Sequence, residues 1–397
     1  MSQFGWVLAF SAMNNLFPNI VHPVTPTLLT QMGYADYMFG VLFAMMALGM
    51  LIMSPLWGRF ADRHGRRPTF CLGMTLYTLA QIGFFLGRSE AFVLVMRFLG
   101  GIGSSGGLVA LTACAIDLTD EDNRAARMSA FAAVNCIAAS GGYFLGGMLG
   151  VLSVSHAFFA QFITLGLMTL SALWLLPETR QAHTPAASST NFSSLSGFRQ
   201  ALRGMTPVLA VFLLCVTFAT LSTYGYDNAF NYFIKRELGL NSSYNGIIKA
   251  VTGILGFVAT LGVNRVLINR FAVDKVLPPV FLLCALSLLV STFMSTLVGF
   301  FALSILFYLF NAMYQPLQQS LMTRASDGDF GLLSGLFNSA RALGMIVGSL
   351  AAGFLYTVSP RAPFYMQVAC FVLAACLSFI FSRLLARSTA RKAATPA

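Results

Sequence analysis

Long apolar stretches follow one another along almost the whole chain, and only short polar turns separate them. Because a helix needs about 20 apolar residues to span a bilayer, this pattern predicts twelve membrane helices, at 4–30, 39–57, 69–87, 91–115, 127–150, 157–176, 207–233, 244–264, 276–296, 298–323, 330–354 and 363–382. Six helices lie on each side of the one long polar stretch, residues 177–206. The pattern therefore predicts an all-α membrane protein, with six-helix bundles at 1–176 and 207–397 joined by a cytoplasmic linker at 177–206.

The two halves share glycines at a constant spacing. Each second-half glycine lies 206 positions after its first-half counterpart, in the pairs Gly33 and Gly239, Gly40 and Gly246, Gly142 and Gly348, and Gly147 and Gly353. A parallel repeat of six helices is a known plan for transporters, in which the substrate site lies between the halves. The spacing therefore predicts two pseudo-symmetric bundles.

Composition and charge exclude several classes of protein. Hydrophobic residues make up 57% of the chain and charged residues only 9%, against about 25% charged in soluble domains, so a soluble enzyme is excluded. The net charge of +11 could indicate nucleic-acid binding. With the N-terminus placed in the cytoplasm, however, the inner loops and C-terminal tail hold seventeen of the 24 Lys and Arg residues and the outer loops four. This asymmetry predicts that both termini are cytoplasmic and that nucleic acid is not a partner.

The parts of an enzyme or an ATP-driven pump are missing from the sequence. There is no Walker motif, no nucleophile elbow and no cluster of metal ligands. We therefore expect no enzymatic activity, no cofactor and no bound metal.

A short polar motif follows the second span, where residues 58–67 read GRFADRHGRR. Gly58 would allow a close approach to a neighbouring backbone, and Gly65 would allow a tight turn. Asp62 is suited to face the positive end of a helix, and Arg66 is suited to pair with an acid.

This motif resembles the G-x-x-x-D-R-x-G-R-R/K signature of the major facilitator superfamily, with Arg63 as its first arginine. The resemblance implies that Asp62 faces the start of the eleventh span and that Arg66 meets Asp117 at the end of the fourth. Together these residues would form a latch that holds the outward-open state.

Two further motifs are similar to those of the drug:proton antiporter branch of that superfamily. Residues 97–105 read RFLGGIGSS, similar to R-x-x-Q-G-x-G-A-A, and the resemblance implies a role for Arg97 in proton transfer. The alternative is that Arg97 extends to the outer interface. In the fifth span, Gly142, Tyr143, Gly146 and Gly147 match G-P-x-x-G-G except that Tyr143 replaces proline. We expect these glycines to pack against the eighth span.

Polar side chains inside the spans predict a central cavity. Asn15, Asn19 and His22 share one helical face in the first span. Asp227 is the only carboxylate well inside a predicted span, so Asp227 and His22 are candidate proton carriers. Asp227 alternatively pairs with Lys235 or Lys249 near the outer interface. The other candidate substrate-binding residues are Tyr224, Tyr226, Asn228, Asn231, Lys249, Asn311, Tyr314, Gln315, Gln318, Asn338 and Arg341.

The resemblance implies a monomeric secondary transporter of the bacterial inner membrane that works by rocker-switch alternating access. Proton-coupled efflux of small amphipathic compounds is the first hypothesis, with protons and a small molecule as partners. The second hypothesis is a dedicated transporter of an organic anion or anionic metabolite. It rests on Tyr143 in place of proline and on the excess of Arg97, Lys249 and Arg341 over Asp227 inside the spans.

Overall fold

The computed structural model describes residues 2–120, 124–179, 206–259, 262, 267, 270–325 and 330–394. Within these ranges the chain forms thirteen helices and no strand. In the first half the helices are α1 (Gln3–Asn19), α2 (Thr25–Gln31), α3 (Met38–His64), α4 (Arg66–Leu86), α5 (Glu90–Asp117), α6 (Arg124–Leu152) and α7 (Val154–Leu175). In the second half they are α8 (Pro207–Arg236), α9 (Ser242–Val258), α10 (Val273–Phe293), α11 (Leu297–Ala325), α12 (Phe330–Val358) and α13 (Ala362–Ala394). The predicted all-α fold class is confirmed.

Ten of these helices are long and apolar enough to cross a membrane. The first predicted span differs from the prediction because it is two helices, α1 and α2, separated by turns at residues 20–24. Pro23 lies in this break and cannot donate a backbone hydrogen bond. The eighth predicted span corresponds to α9, which has 17 residues.

Several helices continue past the apolar windows that predicted them. The second span was expected to end at residue 57, but α3 continues to His64, so most of the signature motif lies on a helix rather than in a loop. Similarly, α13 runs to Ala394 instead of ending at residue 382. Hydropathy fixes the part of a helix that lies in lipid, whereas polar residues can extend the same helix beyond it.

Packing divides the chain into two compact units, one of Met1–Ala187 with Phe230–Phe257 and one of Ser188–Ala229 with Val258–Ala397. The first unit contains the first seven helices, the end of α8 and most of α9. In that unit α5 packs against α3 and α4, and α1 packs against α6. In the second unit α10 packs against α11 and α13. The boundaries at 1–176, 177–206 and 207–397 stay predictions, and residues 180–205 of the linker lie outside the described residues.

Small residues explain the closest helix contacts of the first unit. A Cβ atom added to Gly73 in α4 would lie 2.8 Å from the Gly103 carbonyl oxygen and 2.9 Å from the Gly106 Cα in α5. Backbones can approach this closely only where side chains are absent.

Many large apolar side chains face outward, among them Leu152 and Trp174, which are 70% and 74% exposed. Such an outward apolar surface suits a lipid environment.

Candidate functional site

The signature motif forms a polar cluster at the junction of α3 and α4. Arg66 contacts two carboxylates: its Nη1 lies 2.5 Å from the Asp62 Oδ1, and its Nε lies 3.1 Å from the Asp117 Oδ2. Asp117 is the last residue of α5. The structure therefore brings together three helix ends through one guanidinium. Only 14% of the Arg66 side chain is exposed, so this contact is better shielded than an ordinary surface ion pair.

Two residues just after α7 complete what we call the Arg66 cluster, which consists of Asp62, Gly65, Arg66, Asp117, Glu178 and Thr179. The Glu178 carboxylate accepts hydrogen bonds from the backbone N–H groups of Arg66 and Arg67, at 2.8 and 3.1 Å. A carboxylate at the first turn of a helix satisfies free N–H groups and is attracted by the helix dipole. Thr179 donates to the Asp117 Oδ2 at 2.8 Å.

Gly65 and Gly58 have different environments within the same motif. Gly65 has a φ of +104°, and an added Cβ would lie 2.5 Å from the Glu178 Oε2, so both conformation and space require glycine. The expected close packing at Gly58 is not found among the described residues: an added Cβ would meet none of their atoms within 4 Å. Arg63 is exposed. The expected contact of Asp62 with the start of the eleventh span stays a prediction.

Arg97 lies inside the first unit and does not extend to a surface, because its side chain is only 2% exposed. Its Nη1 donates to the Gln81 Oε1 at 3.4 Å, and the Gln81 Nε2 donates to the Gln161 Oε1 at 3.0 Å. Gln161 in turn donates to the Pro18 carbonyl oxygen at 3.0 Å. The amides thus connect the buried charge to the end of α1. The alternative in which Arg97 extends to the outer interface is therefore wrong.

Aromatic rings surround His22 and Arg97. The His22 ring stacks on Phe43 and on Tyr143, with centroid distances of 5.5 and 5.4 Å. The Arg97 Cζ lies 3.8 Å from the centroid of the Phe84 ring and 5.7 Å from that of Phe43. The Lys249 Nζ lies 5.6 Å from the Tyr143 centroid, a cation–π distance.

The other predicted polar residues of α1 bond mainly to their own helix. Asn15 donates to the Ser11 carbonyl oxygen at 2.9 Å, and Asn19 donates to the Asn15 carbonyl oxygen at 2.5 Å. Both side chains are half-buried. In the same unit, Asn231 is buried and accepts a hydrogen bond from Asn245.

The glycine motif of α6 packs differently from the expectation. A Cβ on Gly142 would overlap the Leu16 carbonyl oxygen, and one on Gly146 would overlap the Ile20 carbonyl oxygen. Only Gly147 faces α9, where an added Cβ would lie 2.8 Å from the Gly246 Cα. The prediction that all three glycines pack against the eighth span was therefore wrong. Successive turns of α6 therefore contact two different neighbours. Gly142 and Gly146 lie against the end of α1 and the residue that follows it, and Gly147 lies against α9.

In the second unit the polar residues of α8 are bonded to α11 and α12. Tyr308 donates to the Asp227 Oδ1 at 2.7 Å, and Asn228 donates to the Ser349 hydroxyl at 2.8 Å. Tyr226 donates to the Ser304 hydroxyl at 3.0 Å.

A second cluster of this unit is centred on Thr223. Its hydroxyl donates to the Asn311 Oδ1 at 2.8 Å and lies 2.7 Å from the Tyr314 hydroxyl. Gln318 is buried, and its Nε2 has no hydrogen-bond partner among the described residues. The other candidates are not grouped here: Tyr224, Gln315 and Arg341 are half-buried and Asn338 is exposed.

The comparison with known families decides the identity of the fold. The sequence pattern of the Major Facilitator Superfamily matches residues 5–271 and 212–397. The chain belongs to this superfamily.

Individual members of the superfamily are similar over most of their length. Multidrug resistance protein 2 of Bacillus subtilis (strain 168) is 22% identical over 349 residues, which is 87% of this chain and 86% of that protein. Tetracycline resistance protein, class C, of Escherichia coli is 28% identical over 348 residues, 86% of each chain. The crystal structure of the human organic anion transporter MFSD10 (TETRAN) has a TM-score of 0.70 at 21% identity, covering 94% of this chain and 98% of that one. The chain is thus a multi-pass membrane transporter and not an enzyme.

Four residues that contact the superfamily motifs directly or, for Gln161, through Gln81 were missed by the sequence analysis. Glu178 and Thr179 were assigned only to the linker, and Gln81 and Gln161 were not singled out. Two signals were available, since a glutamine is unusual inside an apolar span and a carboxylate directly after a span often caps a neighbouring helix.

Proposed function

We propose that this transporter exports small amphipathic compounds in exchange for protons by rocker-switch alternating access. The observation that carries the proposal is the similarity, over most of the chain, to proteins named for resistance to several drugs and to tetracycline. A membrane transporter would confer resistance by moving a drug out of the cell. The predicted energy source is the proton gradient, because the sequence contains no nucleotide-binding motif.

Three residues inside the predicted spans are proposed to bind the proton or to tune its binding. Asp227 is the first candidate carrier. Its carboxylate accepts a hydrogen bond from Tyr308, and this bond would be lost when the carboxylate takes up a proton. His22 is the second candidate, since imidazole titrates near neutral pH. Arg97 is proposed to tune proton binding through its positive charge. This assignment predicts that Asp227→Asn abolishes proton movement while leaving substrate binding intact.

The Arg66 cluster is proposed to be the latch of the cycle. Its two ion pairs and the Glu178 cap join the ends of α3, α4 and α5 and the residues after α7, all within the first compact unit, and they would be released during the rocking movement of the transport cycle. We also propose that both termini are cytoplasmic and that the protein acts as a monomer. An Asp62→Asn variant is expected to lose transport, because the acid at the end of α3 would no longer balance Arg66.

A dedicated transporter of an organic anion is the second candidate. The observation that favours it is the burial of Arg97 and Lys249, which are 2% and 9% exposed, with Arg341 as a third interior cation. A positive interior favours anions. The expected binding residues would be Lys249 and Arg341, and Arg341→Glu should abolish transport of the anion.

The deciding experiment uses purified protein in proteoliposomes that contain a pH-sensitive dye. A panel of cationic, neutral and anionic compounds is added one at a time, and Asp227→Asn serves as the matched inactive variant. Proton movement driven by cationic or neutral compounds supports export of amphipathic compounds. Movement driven only by anions supports the second candidate, and no movement with any compound contradicts proton coupling.

A further inference from the structure

Three buried polar atoms without a hydrogen-bond partner among the described residues lie on two side chains that touch the same ring. They are the Nδ1 of His22 and the Nε and Nη2 of Arg97. His22 stacks on Phe43 with an interplanar angle of 17°, and the Arg97 guanidinium also lies over Phe43. A buried donor left unpaired costs about 1–3 kcal/mol. Three such atoms around one ring indicate that another chemical group belongs there.

The charge around this ring indicates what that group is. No carboxylate of the described residues lies within ion-pair distance of Arg97, although its side chain is almost completely buried. The two rings on which His22 stacks, Phe43 and Tyr143, are also the rings that lie near the charges of Arg97 and Lys249. A buried arginine such as Arg97, which has no carboxylate partner among the described residues, favours an anion, and its planar fork matches a carboxylate through two parallel hydrogen bonds.

The walls of the same region fit a flat apolar body. Phe43, Phe84 and Tyr143 present rings to His22 and to the two cations. We call these six residues, His22, Phe43, Phe84, Arg97, Tyr143 and Lys249, the Phe43 cluster. Aromatic side chains stack on planar ligands and on one another at similar distances. Phe43 is only half-buried, so part of its side chain is not covered by other residues.

We propose that the Phe43 cluster binds planar aromatic carboxylates, with the carboxylate on Arg97 and the ring of the compound in the place that Phe43 now occupies. The proposal rests on the proposed export of amphipathic compounds and names the class that this site would select. The Phe43 ring acts as a cover that turns aside when the compound enters. His22, in the tautomer with a proton on Nδ1, provides a further hydrogen bond.

The test compares two probes of the same shape, 1-naphthoate and 1-naphthamide. Binding to the purified full-length protein in detergent is measured by isothermal titration calorimetry without a proton gradient. We expect 1-naphthoate to bind at least tenfold more tightly than 1-naphthamide. Equal affinities for the two probes would overturn the proposal, because the amide matches the shape and lacks only the charge.

Two variants test separately the charge of Arg97 and the role of Phe43 as a cover. Arg97→Met is expected to weaken 1-naphthoate binding at least tenfold and to change 1-naphthamide binding less than twofold. Phe43→Ala is expected to strengthen 1-naphthoate binding at least threefold, because the site no longer has to be uncovered. Phe85→Ala is the control for the loss of an aromatic ring, since Phe85 lies next to Phe84 in α4 but is not a member of the Phe43 cluster, and its ring stacks on Phe158. Unchanged or weaker binding of 1-naphthoate to Phe43→Ala would contradict the role of the cover, even if Arg97→Met fails to fold.

Failure of this inference can be told from failure of the proposed function. If cationic or neutral compounds drive proton movement in proteoliposomes while the two naphthalene probes bind equally, only the carboxylate site is wrong. If no compound drives proton movement while 1-naphthoate still binds more tightly, the proposed coupling is wrong and the site remains.

Discussion

Two glutamines at equivalent positions of the repeat have opposite environments. Gln161 in α7 and Gln367 in α13 lie 206 positions apart, and both are completely buried. Gln161 accepts from Gln81 and donates to Pro18. Both side-chain polar atoms of Gln367, in contrast, have no partner among the described residues, and its amide lies against Gly225. The same side chain is thus hydrogen-bonded in one half, whereas in the other it has no hydrogen-bond partner within the described part of the chain.

The residues around the two glutamines explain this difference. At the positions of Gln81 and Arg97 the second half carries Ser287 and Leu303. The Ser287 hydroxyl donates to its own helix, at the Leu283 carbonyl oxygen. The second half therefore lacks both the buried charge and the amide that joins it to the end of the first helix. We infer that the first half needs Gln161 to support Arg97, whereas Gln367 has lost that role.

At other equivalent positions the two residues contact each other in both halves, but through different kinds of interaction. His22 stacks on Tyr143 in the first half. At the corresponding positions of the second half, Asn228 donates a hydrogen bond to Ser349. The repeat thus preserves which helices meet, and the residues that fill each contact have diverged. This divergence is greatest for Arg97, which is a charge in one half and a leucine in the other.

The largest expected effect concerns a glycine that only the first half requires. A Cβ on Gly146 would overlap the Ile20 carbonyl oxygen, whereas the equivalent position of the second half already holds buried Ala352. Gly146→Ala should lower the free energy of unfolding by about 3 kcal/mol, the upper range for overpacking. Ala352→Gly should cost about 1 kcal/mol, the usual helix penalty. Unfolding in mixed detergent micelles measures both, and equal costs would mean that the halves pack alike at this position.

The fold could be predicted from the sequence because membrane helices need long apolar windows, and ten helices among the described residues are long and apolar enough to cross a membrane. The ends of helices could not be predicted in the same way. The seven polar-rich residues 58–64 continue α3 outside the apolar window, and the break at residues 20–24 divides the first span. Both features depend on local hydrogen bonding rather than on hydropathy.

The candidate site was predictable only in part. The contact of Arg66 with Asp117 was expected because a known motif pairs these positions. The contact of Gln81 with Gln161 joins residues 80 positions apart, and no spacing rule brings them together. Gly58 shows the opposite error, since its place in a motif suggested close packing, whereas no atom of residues 2–120, 124–179 or the other described ranges lies within 4 Å of an added Cβ.

The second-largest expected effect tests whether the side-chain amide of Gln81 stabilises the buried charge of Arg97. Gln81→Met should lower the free energy of unfolding by about 2 kcal/mol, because hydrogen bonds to charged groups contribute about 1.5–3 kcal/mol. In an Arg97→Met background the same change should cost at least 1 kcal/mol less, since no charge remains to be supported. The four proteins form a double-mutant cycle in mixed micelles. Additive costs would mean that Gln81 and Arg97 are not coupled.

A smaller effect compares the two glutamines directly. Gln161→Met should cost about 1–2 kcal/mol, because it leaves Gln81 and the Pro18 carbonyl oxygen without their partner. Gln367→Met should be neutral or stabilising by about 1 kcal/mol, since an apolar side chain of similar volume replaces two unpaired polar atoms. The midpoint of unfolding in mixed micelles ranks the two variants. A loss of stability in Gln367→Met as large as that in Gln161→Met would show that the second glutamine also has a partner.

The smallest expected effect concerns Gly58, which the second half does not share, because Asn264 stands at the equivalent position. Gly58 lies within α3, where a Cβ would meet no atom of the part of the chain that the structure describes within 4 Å. Gly58→Ala should therefore raise the free energy of unfolding by about 0.5–1 kcal/mol through helix propensity. The matched control is Gly65→Ala, which should lower it, because the φ of +104° and the Glu178 carboxylate leave no room for a methyl group. Transport assays then separate two reasons for keeping Gly58. If Gly58→Ala is more stable and still transports, the glycine has no role in packing. If it is more stable but inactive, a second conformation of the transporter brings another backbone against this position, and the motif would carry the glycine for that conformation alone.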